Sequence, residues 1–241
     1  MTIRVVQFLL ISFLITGCNL YSTTAEPEEE EYEIIYPQPD PEISQTLESY
    51  RDTLDQKMGV RVATVTDTLR FGQPEGKLGN LAADALRYRA AGEIRKFVNA
   101  GIIGDSSFKL YFTPGTLTLW DVYQFMPYEN HLVILTLDGQ MMRKLINEVA
   151  EAGGAPISGV RFTIRENNAT GILVNSEIID DNKHYLVATS SYLADGGDRF
   201  SALWEPVDRQ DLYDISIRDL YVNHFRNIRV LNPVIDGRIR Q

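Results

Sequence analysis

A single cysteine, Cys18, stands in the 241-residue sequence, so an intrachain disulfide is excluded. Histidine is nearly as scarce: His131, His184 and His224 are too few and too scattered for a dinuclear metal centre, and each reads as a residue on a strand or helix surface. No His-Glu-x-x-His spacing occurs, nor a Gly-x-Ser-x-Gly nucleophile elbow, nor a P-loop. Ser190 and Ser191 carry hydroxyls, but no motif places a base beside them. The sequence therefore shows no complete catalytic centre of its own. Positive charge is also thin, with 23 Lys and Arg against 33 Asp and Glu and a formal net charge of −10. Residues 26–42 alone hold eight acidic residues and no Lys or Arg, whereas residues 43–241 hold 25 acidic and 22 basic ones. The acidity belongs to a segment, and without clustered positive charge no nucleic-acid polymer is expected as a partner.

The 44% hydrophobic content supports one substantial domain, with no internal repeat to divide it. Ahead of it, Arg4 precedes the apolar run Phe8–Ile15, which is too short for a spanning helix. Small residues then lead to a cysteine, Ile15-Thr16-Gly17-Cys18, which resembles a bacterial lipobox. That resemblance implies a lipoprotein signal peptide over 1–17 and lipidation of Cys18 as a membrane anchor. With Asn19 and not Asp after the cysteine, it implies an extracytoplasmic protein held at the outer membrane. An ordinary signal peptide with an incidental cysteine is the alternative. Residues 18–43, rich in Glu and Pro, bury too little apolar surface to fold and read as an acidic tether.

The domain is placed at 44–241. Ser44 is a helix cap, with Leu47, Tyr50, Leu54 and Met58 at helical spacing and Gly59 as the stop. Val60–Leu69 reads as a strand, and the pattern from Asn80 as a helix that Asn80 itself caps. Lys96–Ile103 is predicted as a short buried strand, Phe108–Phe112 as extended, and Thr118 as the cap of a short helix through Tyr123. His131–Leu137 is a strong strand, followed by an amphipathic helix over Gln140–Ala152 with Met141, Leu145, Ile146 and Val149 on its apolar side. Further extended runs lie at Val160–Ile164, Gly171–Val174 and 183–189, and a last long helix is predicted over Tyr213–Phe225. Strands and helices mix without regular alternation, which points to an α/β layered single domain with a mixed sheet.

The stretch Thr189–Phe200 carries the most chemistry. A predicted strand leads to Tyr192 and then a Gly196-Gly197-Asp198 turn. Paired glycines let a ligand approach the main chain, a fixed carboxylate accepts from hydroxyls, and a ring stacks on a flat group. The combination suits a ligand with both a sugar and a base; the bland alternative is a polar turn.

Seven short motifs run in a fixed order: Glu75-x-x-Leu-Gly-Asn-Leu-x-x-Asp-Ala85, Val98-Asn99-Ala-Gly101, Gly115-x-Leu-Thr-x-x-Asp-Val122, Met126-Pro-Tyr-Glu-Asn130, Leu137-Asp-Gly139, Ile157-Ser-Gly-Val-Arg161 and Tyr185-x-Val-Ala-Thr-x-x-Tyr-Leu-Ala-x-Gly-Gly-Asp198. Together they resemble the C-terminal, substrate-binding domain of the 5′-nucleotidase and UDP-sugar hydrolase family. The resemblance implies a domain that binds the nucleoside while a separate metallophosphoesterase domain holds the divalent metals and cleaves the ester. It implies that Tyr128 and Tyr192 sandwich the base, that Asp198 accepts from the ribose hydroxyls, and that Asn99 and Asn130 hydrogen-bond ribose or base. Packing at the edge of the core is the alternative role for the two tyrosines.

Two departures from the family pattern matter. Where the family carries arginines toward the phosphate, this sequence has Gly104 and Pro74, and glycine cannot replace a bidentate guanidinium. Lys109 lies nearby in an altered stretch, 105–112. Signal and tether also leave no room before Ser44 for a metal-bearing domain, so no cofactor is expected in this chain, which alone is not expected to hydrolyse nucleotides. The expectation is a nucleoside- or nucleotide-binding specificity subunit of an extracytoplasmic 5′-nucleotidase, acting with a separate metallophosphoesterase. The alternative is a non-catalytic nucleoside-binding or structural lipoprotein.

Overall fold

The computed structural model describes residues 40–241. The signal sequence, Cys18 and most of the acidic tether lie outside them. The first helix, α1 (Pro41–Met58), begins three residues earlier than the predicted cap and buries none of its residues, so its apolar positions Leu47, Tyr50 and Leu54 are exposed. The contact-dense unit is Thr46–Gln241, while residues 40–45 contribute only the first turns of α1.

The fold is a mixed α/β arrangement built on three sheets. At its centre lie β2 (Ala100–Ile102), β4 (His131–Asp138), β5 (Ile157–Ser158), β9 (His184–Ser190) and β10 (Asp208–Ser216), in the order β10-β4-β9-β2-β5. Strand β4 is nearly all apolar because both of its faces are covered. Leu132 and Ile134 enter one core with Leu86, Phe125, Tyr221 and Phe225. Val133, Leu135 and Leu137 enter a second with Leu145, Ile146 and Val149.

The first core is closed by α2 (Lys77–Ile94), α3 (Leu119–Phe125), α6 (Ile217–Ile228) and a small sheet of β1 (Arg61–Val65), β3 (Gly115–Thr118) and β11 (Val230–Leu231). The second is closed by α4 (Gly139–Glu151) and a sheet of β6 (Val160–Arg165), β7 (Asn168–Val174), β8 (Glu177–Ile178) and β12 (Ile239–Arg240). Glu166 and Asn167, both at positive φ, make the two-residue turn between β6 and β7.

Local chemistry explains several boundaries. Thr118 caps α3 with a full capping box, its hydroxyl accepting from Asp121 N while the Asp121 carboxylate accepts from Thr118 N. Asp138 caps α4, where Met142 is fully buried and Met141 packs against the core partly buried. Asn80 does not cap α2, which starts at Lys77. Its buried amide donates to the Val234 carbonyl at 2.9 Å and reaches the Glu75 carboxylate at 3.4 Å. The predicted helix over Tyr213–Phe225 is also corrected: residues through Ser216 continue β10 against β4, and the helix begins at Ile217 behind a Ser216 cap.

Candidate functional site

Strand topology gathers three loops at one edge of the central sheet. β2 runs parallel to β9, pairing Ala100 with Val187 and Gly101 with Ala188, so their carboxyl ends point the same way. β4 runs antiparallel to β9, pairing Leu132 with Ser190, which brings the start of β4 to that same edge. The segment after β2, the loop before β4 and the turn after β9 therefore meet outside the carboxyl ends of the parallel pair, the usual place for a ligand crevice in such sheets.

There, Ser106, Ser107, Lys109, Tyr128, Asn130 and Tyr192 line a cleft of about 310 Å³. Tyr128 and Tyr192 are 45% and 42% exposed, too open to be core residues. Among the described residues, neither ring pairs with another aromatic ring; Tyr128 instead has the Lys109 ammonium 5.3 Å from its centre.

Each side chain is held from behind. Tyr192 sits in the single-turn helix α5 (Ser191–Ala194), capped by Ser190, whose hydroxyl accepts from Leu193 N. The following turn folds back so that Gly197 N donates to the Tyr192 carbonyl at 2.8 Å. A Cβ at position 197 would lie 2.5 Å from the Tyr192 ring, so glycine is needed for this close approach. Asp198 then takes a left-handed φ of 51° and accepts from Ser106 Oγ at 2.7 Å and from Tyr192 Oη at 3.3 Å.

The Tyr128 loop is fixed by α6. Arg218 donates to the Met126 and Pro127 carbonyls at 2.7 Å each while its guanidinium lies 4.5 Å from the Tyr123 ring centre. Ile217 N donates to the Asn130 carbonyl. Asn130 Oδ1 accepts from Ser191 Oγ at 3.4 Å, linking the loop to α5. Phe108, stacked on both Phe71 and Phe125, anchors the third wall next to Lys109.

Of the residues picked from sequence, Tyr128, Tyr192 and Asn130 line one cleft, and Asp198 bonds to two of its walls. Asn99 does not line it. It precedes β2, at the strand's other end, where its amide oxygen accepts from Leu186 N at 2.8 Å and its carbonyl accepts from Asn175. Its side chain serves the β2–β9 pairing. Gly104 is explained by Asp198: a Cβ there would overlap the carboxylate Oδ2, so position 104 takes no side chain while Asp198 holds its place. Ser106, Ser107 and Arg218 were not singled out from the sequence, and no local motif marks them.

A second cleft of about 530 Å³ lies elsewhere, lined among others by Asp84, Arg87, Ser158, Arg161, Asp236 and Arg238. Arg238, only 8% exposed, makes a two-pronged bond to Asp84 at 2.9 Å on each arm, and also donates to Asp236 and the Ile157 carbonyl. Burial opposes its charge, but the Asp84 and Asp236 carboxylates prevail and raise its pKa above the ordinary arginine value. The buried Glu75 carboxylate accepts from Gly237 N at 2.7 Å and Arg238 N at 3.2 Å.

Among the described residues no group of three or more His, Cys, Asp or Glu side chains is placed to hold a metal ion, and no helix is long and apolar enough to cross a membrane.

The fold and cleft define a mixed-sheet α/β domain with an open aromatic crevice outside the carboxyl ends of its parallel strands. The chain belongs to the family described as 5′-nucleotidase, C-terminal domain, which matches residues 61–205. It is 26% identical over 227 residues to the trifunctional nucleotide phosphoesterase protein YfkN of Bacillus subtilis, an alignment covering 83% of this chain and 15% of that protein. To the NAD 5′-nucleotidase of Haemophilus influenzae it is 32% identical over 107 residues, covering 36% of this chain and 18% of the relative. The solved 5′-nucleotidase precursor from Thermus thermophilus superposes with a TM-score of 0.70 at 21% identity, over 82% of this chain and 42% of that one. At that identity the likeness shows the fold. The chain spans less than half the length of each of these relatives.

Proposed function

We propose that this chain is the nucleoside- or nucleotide-binding part of an extracytoplasmic 5′-nucleotidase activity, with hydrolysis carried out by a separate metallophosphoesterase. The observation that carries the reading is the cleft itself, where two half-exposed tyrosines face a shared space with Asp198 at its foot. Tyr128 and Tyr192 take the base between them, and stacking on such rings is worth about 1–3 kcal/mol per base. Asp198 and Ser106 take the ribose hydroxyls, and the Asn130 amide bonds to ribose or base, being able both to donate and to accept. The metal chemistry belongs to the partner, for which the described residues offer no donor set. Anchoring through lipidated Cys18 at the outer membrane is part of the same reading.

Calorimetric titration of the purified protein with adenosine and adenosine 5′-monophosphate tests it. Micromolar binding of at least one, lost on Tyr192→Ala, is the expected result; no binding of either sinks the proposal. Phosphate release that appears only when a separate metallophosphoesterase is added supports the divided enzyme. The second reading, a binding protein without chemistry, is favoured by one feature: Gly104 has no arginine to offer, and Asp198 fills the space beside it.

A further inference from the structure

We infer that α1 is a self-association surface, through which two copies of this chain pair as a short antiparallel coiled coil. It is independent of the cleft, which none of the α1 residues lines. None of the 18 residues of α1 is buried, whereas every other α-helix among the described residues buries part of itself. A helix of this length standing alone is marginal in water, and helices of this kind owe their stability to packing. Yet Ile43, Leu47, Tyr50 and Leu54 are 48% to 73% exposed. Their spacing gives the shape of the missing surface. Steps of four, three and four residues follow the 3.5-residue period of heptad positions a and d, the seam that one helix offers another.

Charge supplies the occupant and its direction. The same heptad count makes Asp40 and Lys57 the end members of the seam. Glu48, Asp52 and Asp55 fall on the opposite side, and the flanking positions hold Ser44, Thr46, Arg51 and Thr53, with no acid to repel a second copy. In a parallel pair each residue would meet its own copy, setting Asp40 on Asp40 and Lys57 on Lys57. In an antiparallel pair position a meets d, so that Leu47 faces Tyr50, Ile43 faces Leu54, and Asp40 faces Lys57 at both ends. Asp40 caps α1 through one carboxylate oxygen, which accepts from Glu42 N at 2.8 Å, and the other oxygen is left for the lysine. Within one chain the two residues cannot meet, because they stand at opposite ends of α1, about 26 Å apart. The seam spans about two and a half heptads, short of a self-sufficient coiled coil, so the pair is weak and reversible.

The test joins sedimentation velocity of the purified protein to carbodiimide cross-linking, which couples a carboxylate directly to an amine. Wild type is expected to pass reversibly from monomer to dimer between about 1 and 300 μM. A mixture of isotope-labelled and unlabelled protein is expected to yield an Asp40–Lys57 cross-link between copies. Leu47→Asp combined with Leu54→Asp should weaken the dimer at least about tenfold at an unchanged unfolding midpoint, because both side chains are exposed in the single chain. Lys57→Glu, a gentler variant, should weaken it about threefold. Wild type that stays monomeric throughout overturns the inference, as does a dimer that survives the paired aspartates or one that gives no Asp40–Lys57 cross-link. A lowered unfolding midpoint in the paired-aspartate variant overturns it as well, since the face would then serve the fold of the single chain. If α1 of a monomeric wild type cross-links only to an added metallophosphoesterase, the face belongs to that partner and the inference fails.

Discussion

In the larger cleft, of about 530 Å³, Asp84, Arg87, Arg161, Asp236 and Arg238 all find partners within the protein. In the smaller, of about 310 Å³, Lys109 has no carboxylate and the Ser107 hydroxyl has no partner among the described residues. Between these two, volume and charge favour the first as a binding site. Hydrogen-bond accounting separates them: the network in the larger satisfies itself and holds the fold together, while the smaller, proposed above as the nucleoside site, keeps an unmet hydroxyl. The difference also appears in the aromatics, with two open tyrosine rings in the smaller cleft and one exposed ring, Phe97, among the charged side chains of the larger.

The comparison breaks most visibly at Arg238. Arg238→Met leaves Asp84 and Glu75 without their cation, and stability should fall by about 3 kcal/mol, the lower end for breaking a buried pair because Asp84 is half exposed. Urea unfolding measures this, and nucleoside affinity of the folded protein should stay within about twofold. A large affinity loss at unchanged stability would reverse the roles of the two clefts. Tyr192→Ala and Tyr128→Ala are the mirror case, each lowering nucleoside affinity by about 1–3 kcal/mol. Their unfolding midpoints should shift little, since both rings are open; a stability loss without an affinity change would mean that the rings serve packing.

Arg218→Ala sharpens the comparison by loosening the Tyr128 loop without touching the cleft. Loss of its two bonds to the Met126 and Pro127 carbonyls should cost about 1.5 kcal/mol of affinity, with Tyr192→Ala additive to it if the loop alone has moved. The smallest effect is at Asp211. The Arg209 guanidinium, working against burial and aided by His131, holds its carboxyl down at about 2 against an ordinary 3.8. A depressed acid contributes stability that is complete above its unfolded value and is lost as pH falls through the folded one. Asp211→Asn should therefore be less stable than wild type at neutral pH, and the gap should close between about pH 4 and pH 2. A gap that does not change with pH would assign the effect to packing.

What was legible in the sequence is what local chemistry decides. Thr118 and Asp121 specify their own cap, the apolar run of β4 reports two covered faces, and the paired glycines after Tyr192 report the close approach of Gly197 to that ring. What was not legible depends on distant partners. Asn80 has the side chain of a helix cap, but Val234 claims it from 154 residues away. Residues 208–216 alternate poorly because β10 is an edge strand with one neighbour, and only pairing with β4 makes them a strand. Asn99 sits in a family motif, yet its local environment is the amide of Leu186, at the wrong end of β2 for the cleft. Ser106 and Arg218 reach their partners across 92 and 91–92 positions, which no short pattern records.

The bonds from Glu75 and Asp84 to residues 237 and 238 span 154 to 163 positions. Closing so long a loop costs chain entropy before its bonds return any energy, and contacts of high sequence separation slow folding. A chain truncated short of residue 236 therefore lacks the Arg238 clamp on Asp84 and leaves the Glu75 carboxylate without its two backbone donors.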